Sequence, residues 1–175
     1  AIETPLEGTH KGFAQLQECF RDSTKHMLPF QLDAAAYYIE SETGGLVMEC
    51  STGDNGTLVV TSSAKSSPPV ARQQWHFHEL PGGRCLVSSK QNGKVLTSKD
   101  NTLTLCDIIK NDNSQLWRWD NGNIFSVSNG NVVGVAYSGA NTHLLLYDSD
   151  TEQYKEAFTK FRKTQVTEVQ TLKPN

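Results

Sequence analysis

The sequence lacks every short signature that would name a chemistry outright. Its four cysteines, Cys19, Cys50, Cys85 and Cys106, form no Cys-x-x-Cys pair and show no metal-ligand spacing, so neither a zinc site nor a dithiol centre is expected. No glycine-rich phosphate loop occurs, and Ala136-Tyr137-Ser138-Gly139-Ala140 lacks the glycines of a nucleophile elbow. With no nucleophile patterned against a base, the chain is not expected to be an enzyme or to need a cofactor. No apolar run is long enough to cross a bilayer, which excludes a membrane span. Net charge is −3 with Lys and Arg scattered, which excludes the basic stripe that nucleic acid would demand. His76 and His78 flank Phe77 on one strand face, but no third ligand accompanies them, so they are expected to face solvent. Asp148, Asp150 and Glu152 alternate as in a calcium loop without its sixth-position Gly or closing Glu. No metal site is expected.

What remains is an ordinary globular composition: 175 residues, 37% hydrophobic and 20% charged, enough for one domain with a sizeable core. No signal-peptide pattern is present, and the start at Ala1 without Met is read as a matured or trimmed end. Asn55-Gly56-Thr57 matches an N-glycosylation acceptor. The even cysteine count permits two disulfides in any of three pairings. These features favour a secreted chain, with a cytoplasmic one as the alternative.

The strongest pattern is a repeat. Ser114-Gln115-Leu116-Trp117-Arg118-Trp119-Asp120 places two tryptophans on alternate residues, with a Gln two places before the first. Arg72-Gln73-Gln74-Trp75-His76-Phe77 repeats the arrangement 42 residues upstream. One more stride lands near Glu156-Ala157-Phe158, read as a worn third copy with Glu156 for Gln and Phe158 for Trp. Each copy follows the same series of turns. Gly44-Gly45, Asn92-Gly93 and Asn129-Gly130 each precede an apolar run, and Gly56-Thr57, Asn101-Thr102 and Asn141-Thr142 each precede another. Turns every eight to twelve residues imply four short strands per repeat. Alternation in Ile124, Ser126 and Ser128 against Phe125 and Val127 suits a half-buried strand.

Three such repeats with Gln-x-Trp resemble the ricin B-type β-trefoil lectins from about Ala35 to Arg162. The resemblance implies an all-β fold: a six-stranded barrel capped by three hairpins, with Trp75 and Trp117 as core anchors. Repeats are expected at about 35–80, 81–121 and 122–162, within a domain spanning 31–162. It also implies a carbohydrate-binding function, with a glycan or glycoprotein as partner. In galactose-binding members of that family a carboxylate lies on the second strand. An aromatic platform follows the third strand, and an Asn-Gln pair begins the closing motif. Carried onto this chain, the carboxylate position falls on Glu49, Thr97 and Gly134. The platform falls on Ser62, Asp107 and Tyr147, and the Asn on Arg72, Ser114 and Lys155. No repeat keeps the full set, so the site is non-standard or partly lost. The alternative is a trefoil serving protein–protein interaction, as an inhibitor or targeting subunit. Tyr147 is the one ring able to stack on a sugar. The candidate carbohydrate-binding residues are therefore Tyr147, Asp148, Asn141, His143 and Glu156, which offer the donors and acceptors that hydroxyls require.

Two ends lie outside the repeats. Phe13, Leu16 and Phe20 recur at helical spacing after Thr9, which predicts a short amphipathic helix near 10–21 within an N-terminal extension over 1–30. It is read as packing on the domain, or as a docking element for a protein partner. The tail, 163–175, has no clear period and either adds an edge strand or trails.

Overall fold

The structure is a computed structural model that describes residues 35–42, 45–52, 58–136 and 140–167. The expected N-terminal helix and the acceptor sequence at Asn55 lie outside those residues. The described chain is all-β apart from one short α-helix and two single 3-10 turns, Ala71–Gln73 and Asn113–Gln115. Its strands are β1 (Tyr37–Ser41), β2 (Val47–Thr52), β3 (Leu58–Ser63), β4 (Trp75–Leu80), β5 (Arg84–Ser89), β6 (Val95–Lys99) and β7 (Thr102–Cys106). They continue with β8 (Trp117–Asp120), β9 (Asn123–Ser126), β10 (Val132–Gly134), β11 (Thr142–His143), β12 (Leu145–Tyr147) and β13 (Phe161–Gln165). Helix α1 (Glu152–Glu156) stands between β12 and β13.

Strand register shows the threefold repeat. Ser41, Ser89 and Ser126 end β1, β5 and β9, and their amides donate to Leu46 O, Lys94 O and Asn131 O, each at 2.8 Å. Four residues after each serine stands a glycine with positive φ: Gly45 at 67°, Gly93 at 73° and Gly130 at 75°. An added Cβ at Gly45 or Gly130 would meet nothing within 4 Å, so the backbone conformation demands glycine there, not lack of room. Opposite the three serines stand Trp117 on Ser126, Trp75 on Ser89 and Phe161 on Ser41. The last of these pairings brings β13 back onto β1 and closes the barrel.

That closure corrects the third copy of the motif. The residue equivalent to Trp75 and Trp117 is Phe161, which is buried; Phe158 is only half-buried and bridges Val135. The third copy therefore reads Thr159-Lys160-Phe161. Helix α1, inserted before it, lengthened the stride and misaligned the count. The platform alignment shifts as well. Val47, Val95 and Val132 face Ser63, Cys106 and Tyr147, so those three are equivalent, in place of Ser62 and Asp107. Strand β13 runs across the expected boundary at 162 as far as Gln165.

The core is built in threefold layers. Ile39, Val87 and Ile124 form one; Met48, Leu96 and Val133 the next; then Val60, Leu103 and Leu144, all buried. Trp75 and Trp117 are 0% exposed, and their indole N–H groups donate to Met48 O at 3.1 Å and Leu96 O at 3.0 Å. Each buries a large apolar body while satisfying its polar atom. At the capped end the pairings Val59 to Thr104, Thr102 to Leu145 and His143 to Thr61 run cyclically around the axis. Leu144, between β11 and β12, breaks the third-repeat strand in two.

Glu40 clasps the closed seam between β1 and β13. Its buried carboxylate takes Arg162 Nε at 3.2 Å and Arg162 Nη2 at 3.1 Å on one oxygen and pairs with Lys65 on the other. Burial pushes its pKa up, but the hydrogen bonds and charges of Lys65 and Arg162 outweigh that and hold it below the ordinary carboxylate range. His78, expected in solvent, is buried, and its Nε2 lies 2.9 Å from Ser88 Oγ.

Candidate functional site

The three repeats bring the same backbone positions beneath the closing motif and furnish them differently. In the first, strand alternation turns Glu49 outward between buried Met48 and Cys50. The short turn Ala71–Gln73 then brings the closing motif across it. Gln73 is 1% exposed, and its amide nitrogen donates to Glu49 Oε1 at 2.9 Å and Ala64 O at 2.8 Å. Its carbonyl oxygen accepts from Ser66 N at 2.9 Å. Arg72 Nε donates to Glu49 Oε1 at 3.2 Å, and Ser51 Oγ to Glu49 Oε2 at 3.3 Å. Ser51 Oγ lies 2.7 Å from Thr61 Oγ1. The result is a cluster of one recessed carboxylate, one exposed guanidinium and the hydroxyls of half-buried Ser51 and buried Thr61. A polar ligand with many hydroxyls needs such paired acceptors and donors.

The second repeat keeps the brace and loses the charge. Gln115 donates to Asp107 O at 2.9 Å and Thr97 Oγ1 at 3.2 Å, and accepts from Ile109 N at 2.8 Å. Gln115 and Gln73 thus pin the loop after the third strand in the same way. Thr97 stands where Glu49 stood, half-buried Cys106 stands at the platform position, and Asp107 pairs with Lys94 at 2.8 Å.

In the third repeat the place is filled. A Cβ added to Gly134 would lie 2.9 Å from Thr159 Cγ2 and 3.1 Å from two carbons of the Tyr147 ring. The ring therefore rests on Gly134, in the space that Glu49 occupies in the first repeat. Tyr147 is half-buried, and burial raises its phenol pKa. Phe158, not Lys155, occupies the Asn position, and Thr159, not Glu156, the Gln position. The reason is the corrected register.

The other expected site residues make local contacts of their own. Asp148 Oδ1 accepts from Asp150 N at 3.0 Å in the turn before α1. Asn141 is exposed in the left-handed region at φ 64°. His143, exposed on β11, is among the walls of a cleft of about 360 Å³ at the capped end, with Leu58, Leu103 and Leu145. Glu156 is exposed at the end of α1. Glu49, Arg72, Gln73 and Ser51, which meet in this cluster, were not among the expected site residues. The signal for Arg72 was its place beside Gln73; Ser51 was legible only once β2 had a register.

No protein-family model and no curated protein matches the chain by sequence. Solved structures do match it. The C-half of the earthworm R-type lectin, solved with GalNAc, is 17% identical with a TM-score of 0.58, covering 75% of this chain and 99% of that one. The BEL β-trefoil is 15% identical with a TM-score of 0.58, covering 78% and 97%. The cytolethal distending toxin of Actinobacillus actinomycetemcomitans is 14% identical with a TM-score of 0.61, covering 78% and 95%. At such identities the likeness speaks for fold alone, and the fold is the β-trefoil.

Proposed function

We propose that the chain is a carbohydrate-binding, lectin-like β-trefoil whose glycan site lies in the first repeat, around Glu49, Arg72 and Gln73. One observation carries this. Only there does a second-strand carboxylate meet the closing motif, through Glu49 Oε1 with Gln73 Nε2 at 2.9 Å and Arg72 Nε at 3.2 Å. The earthworm R-type lectin with bound GalNAc shares the fold and supports the ligand class. Tyr147, Asp148, Asn141, His143 and Glu156 are set aside as the primary site, because the Tyr147 ring fills its own cleft. A single site without a stacking ring binds weakly, so useful avidity needs several copies or a tether. The chain acts on this reading as a binding module and not an enzyme. Secretion is part of the same proposal and draws on no disulfide among the described residues, where Cys50, Cys85 and Cys106 are free thiols.

A glycan array with wild type, Glu49→Gln and Tyr147→Ala tests the assignment. Binding should fall about tenfold or more in Glu49→Gln, the scale of a lost charged hydrogen bond, and persist in Tyr147→Ala. The reverse pattern places the site in the third repeat. No binding by wild type favours the second reading, a protein-interaction module. That reading draws on the two remaining sugar positions: Tyr147 covers one, and Thr97 and Cys106 furnish the other without carboxylate or ring.

A further inference from the structure

We infer that the first-repeat site takes a glycan bearing a carboxylate and that Arg72 is the residue that selects it. This rests on the reading of that site as the glycan-binding one. The platform position there is Ser63, which is buried, so that position offers no aromatic ring to the apolar face of a neutral pyranose. In its place the repeat carries a guanidinium. Arg72 spends only its Nε on Glu49. The terminal nitrogens belong to a side chain that is 47% exposed, whereas the Glu49 side chain is 16% exposed. A ligand approaching from solvent therefore meets the guanidinium before the carboxylate. The contact with Glu49 holds the planar fork in one orientation, which favours two-pronged recognition of a carboxylate.

The surrounding charge points the same way. Gln73 binds Ala64 O and Ser66 N, on either side of Lys65. Lys65 and Arg162 share the single carboxylate of Glu40, and both cationic side chains are substantially exposed, at 42% and 58%. Arg72 has its own partner in Glu49. Among the described residues, this group of ion pairs sets three cations against two carboxylates, on a chain of net charge −3.

The test is an array of carboxylated glycans beside their neutral parents, read with wild type and Arg72→Gln at low and high salt. Wild type should bind the acidic member about five- to tenfold more tightly, the range between an exposed ion pair and a charged hydrogen bond. Arg72→Gln should bring that ratio to about one, and salt should shrink it in wild type. Equal binding of acidic and neutral members by wild type overturns the inference while leaving the site assignment standing. A ratio unchanged in Arg72→Gln does the same. No binding of either class removes the site assignment itself.

Discussion

The first and third repeats share a backbone and differ in what fills one small space. In the first, Glu49 projects outward and is met by Gln73 and Arg72. In the third, Gly134 has no side chain, and Tyr147 and Thr159 close over it. The second repeat lies between, with Thr97 taking Gln115 in place of a charge. A trefoil core needs its anchors three times over, but a surface cleft can be open once and packed shut elsewhere. On the proposed reading, the aromatic that looks like a surviving platform in the sequence serves as a plug over Gly134.

The largest expected effects concern what the repeats share. Trp117→Ala and Phe161→Ala should each destabilise the fold by about 3–5 kcal/mol, the usual range for removing a large buried aromatic. Phe158→Ala, at a half-buried position, should cost only about 1–2 kcal/mol, because less of its surface left water on folding. Denaturant unfolding midpoints measure all three. A greater loss for Phe158→Ala than for Phe161→Ala would break the register that makes the third repeat equivalent to the others.

Gly134→Ala sharpens the contrast next. The new Cβ would stand too close to Thr159 Cγ2 and the Tyr147 ring, so overpacking should cost about 1–3 kcal/mol. The double variant Gly134→Ala, Tyr147→Ala should recover part of that loss, since removing the ring removes half of the clash. Unfolding midpoints that stay at wild type in Gly134→Ala would mean the ring does not rest there.

Glu40→Gln should have a comparably small effect, about 1–2 kcal/mol, because Lys65 and Arg162 can turn to water once released. Its pH dependence has a defined sign. The carboxylate pKa is held below its ordinary value in the folded chain. Its contribution is therefore present above the ordinary carboxylate pKa and is lost as pH falls through the folded one. The gap in unfolding free energy between wild type and Glu40→Gln should be steady near neutral pH and close on acidification. A gap that widens in acid would contradict the clasp.

The repeat was legible because its signals are obligatory. The glycines at 45, 93 and 130 meet a left-handed turn, and the two tryptophans need both burial and a carbonyl partner, so neither signal tolerates much change. The third anchor was misplaced because α1 inserts residues before β13, and Thr151, which caps that helix by accepting from Tyr154 N at 3.4 Å, was not read as a helix start. The site was less legible than the fold. In the sequence Glu49 and Gln73 were visible as separate matches to a family motif, and Arg72 as a departure from it. Their meeting depends on strand register and on a three-residue turn, which sequence spacing does not determine. His78 went the same way: it lies on the face of β4 opposite Trp75 and Phe77, and its burial there, beside Ser88 of a neighbouring strand, is tertiary packing that alternation does not report.

The most direct test of the central claim is a nitrogen-edited NMR titration that follows the Gln73 side-chain amide and the Arg72 Nε–H while a glycan that the protein binds on the array is added. Both groups touch Glu49, so ligand at that carboxylate must change their surroundings. The account predicts that these two signals shift together and saturate with the same midpoint, while the backbone amides of Gly134 and Tyr147 stay in place. Saturating shifts centred on Gly134 and Tyr147, with Gln73 and Arg72 unmoved, would contradict it.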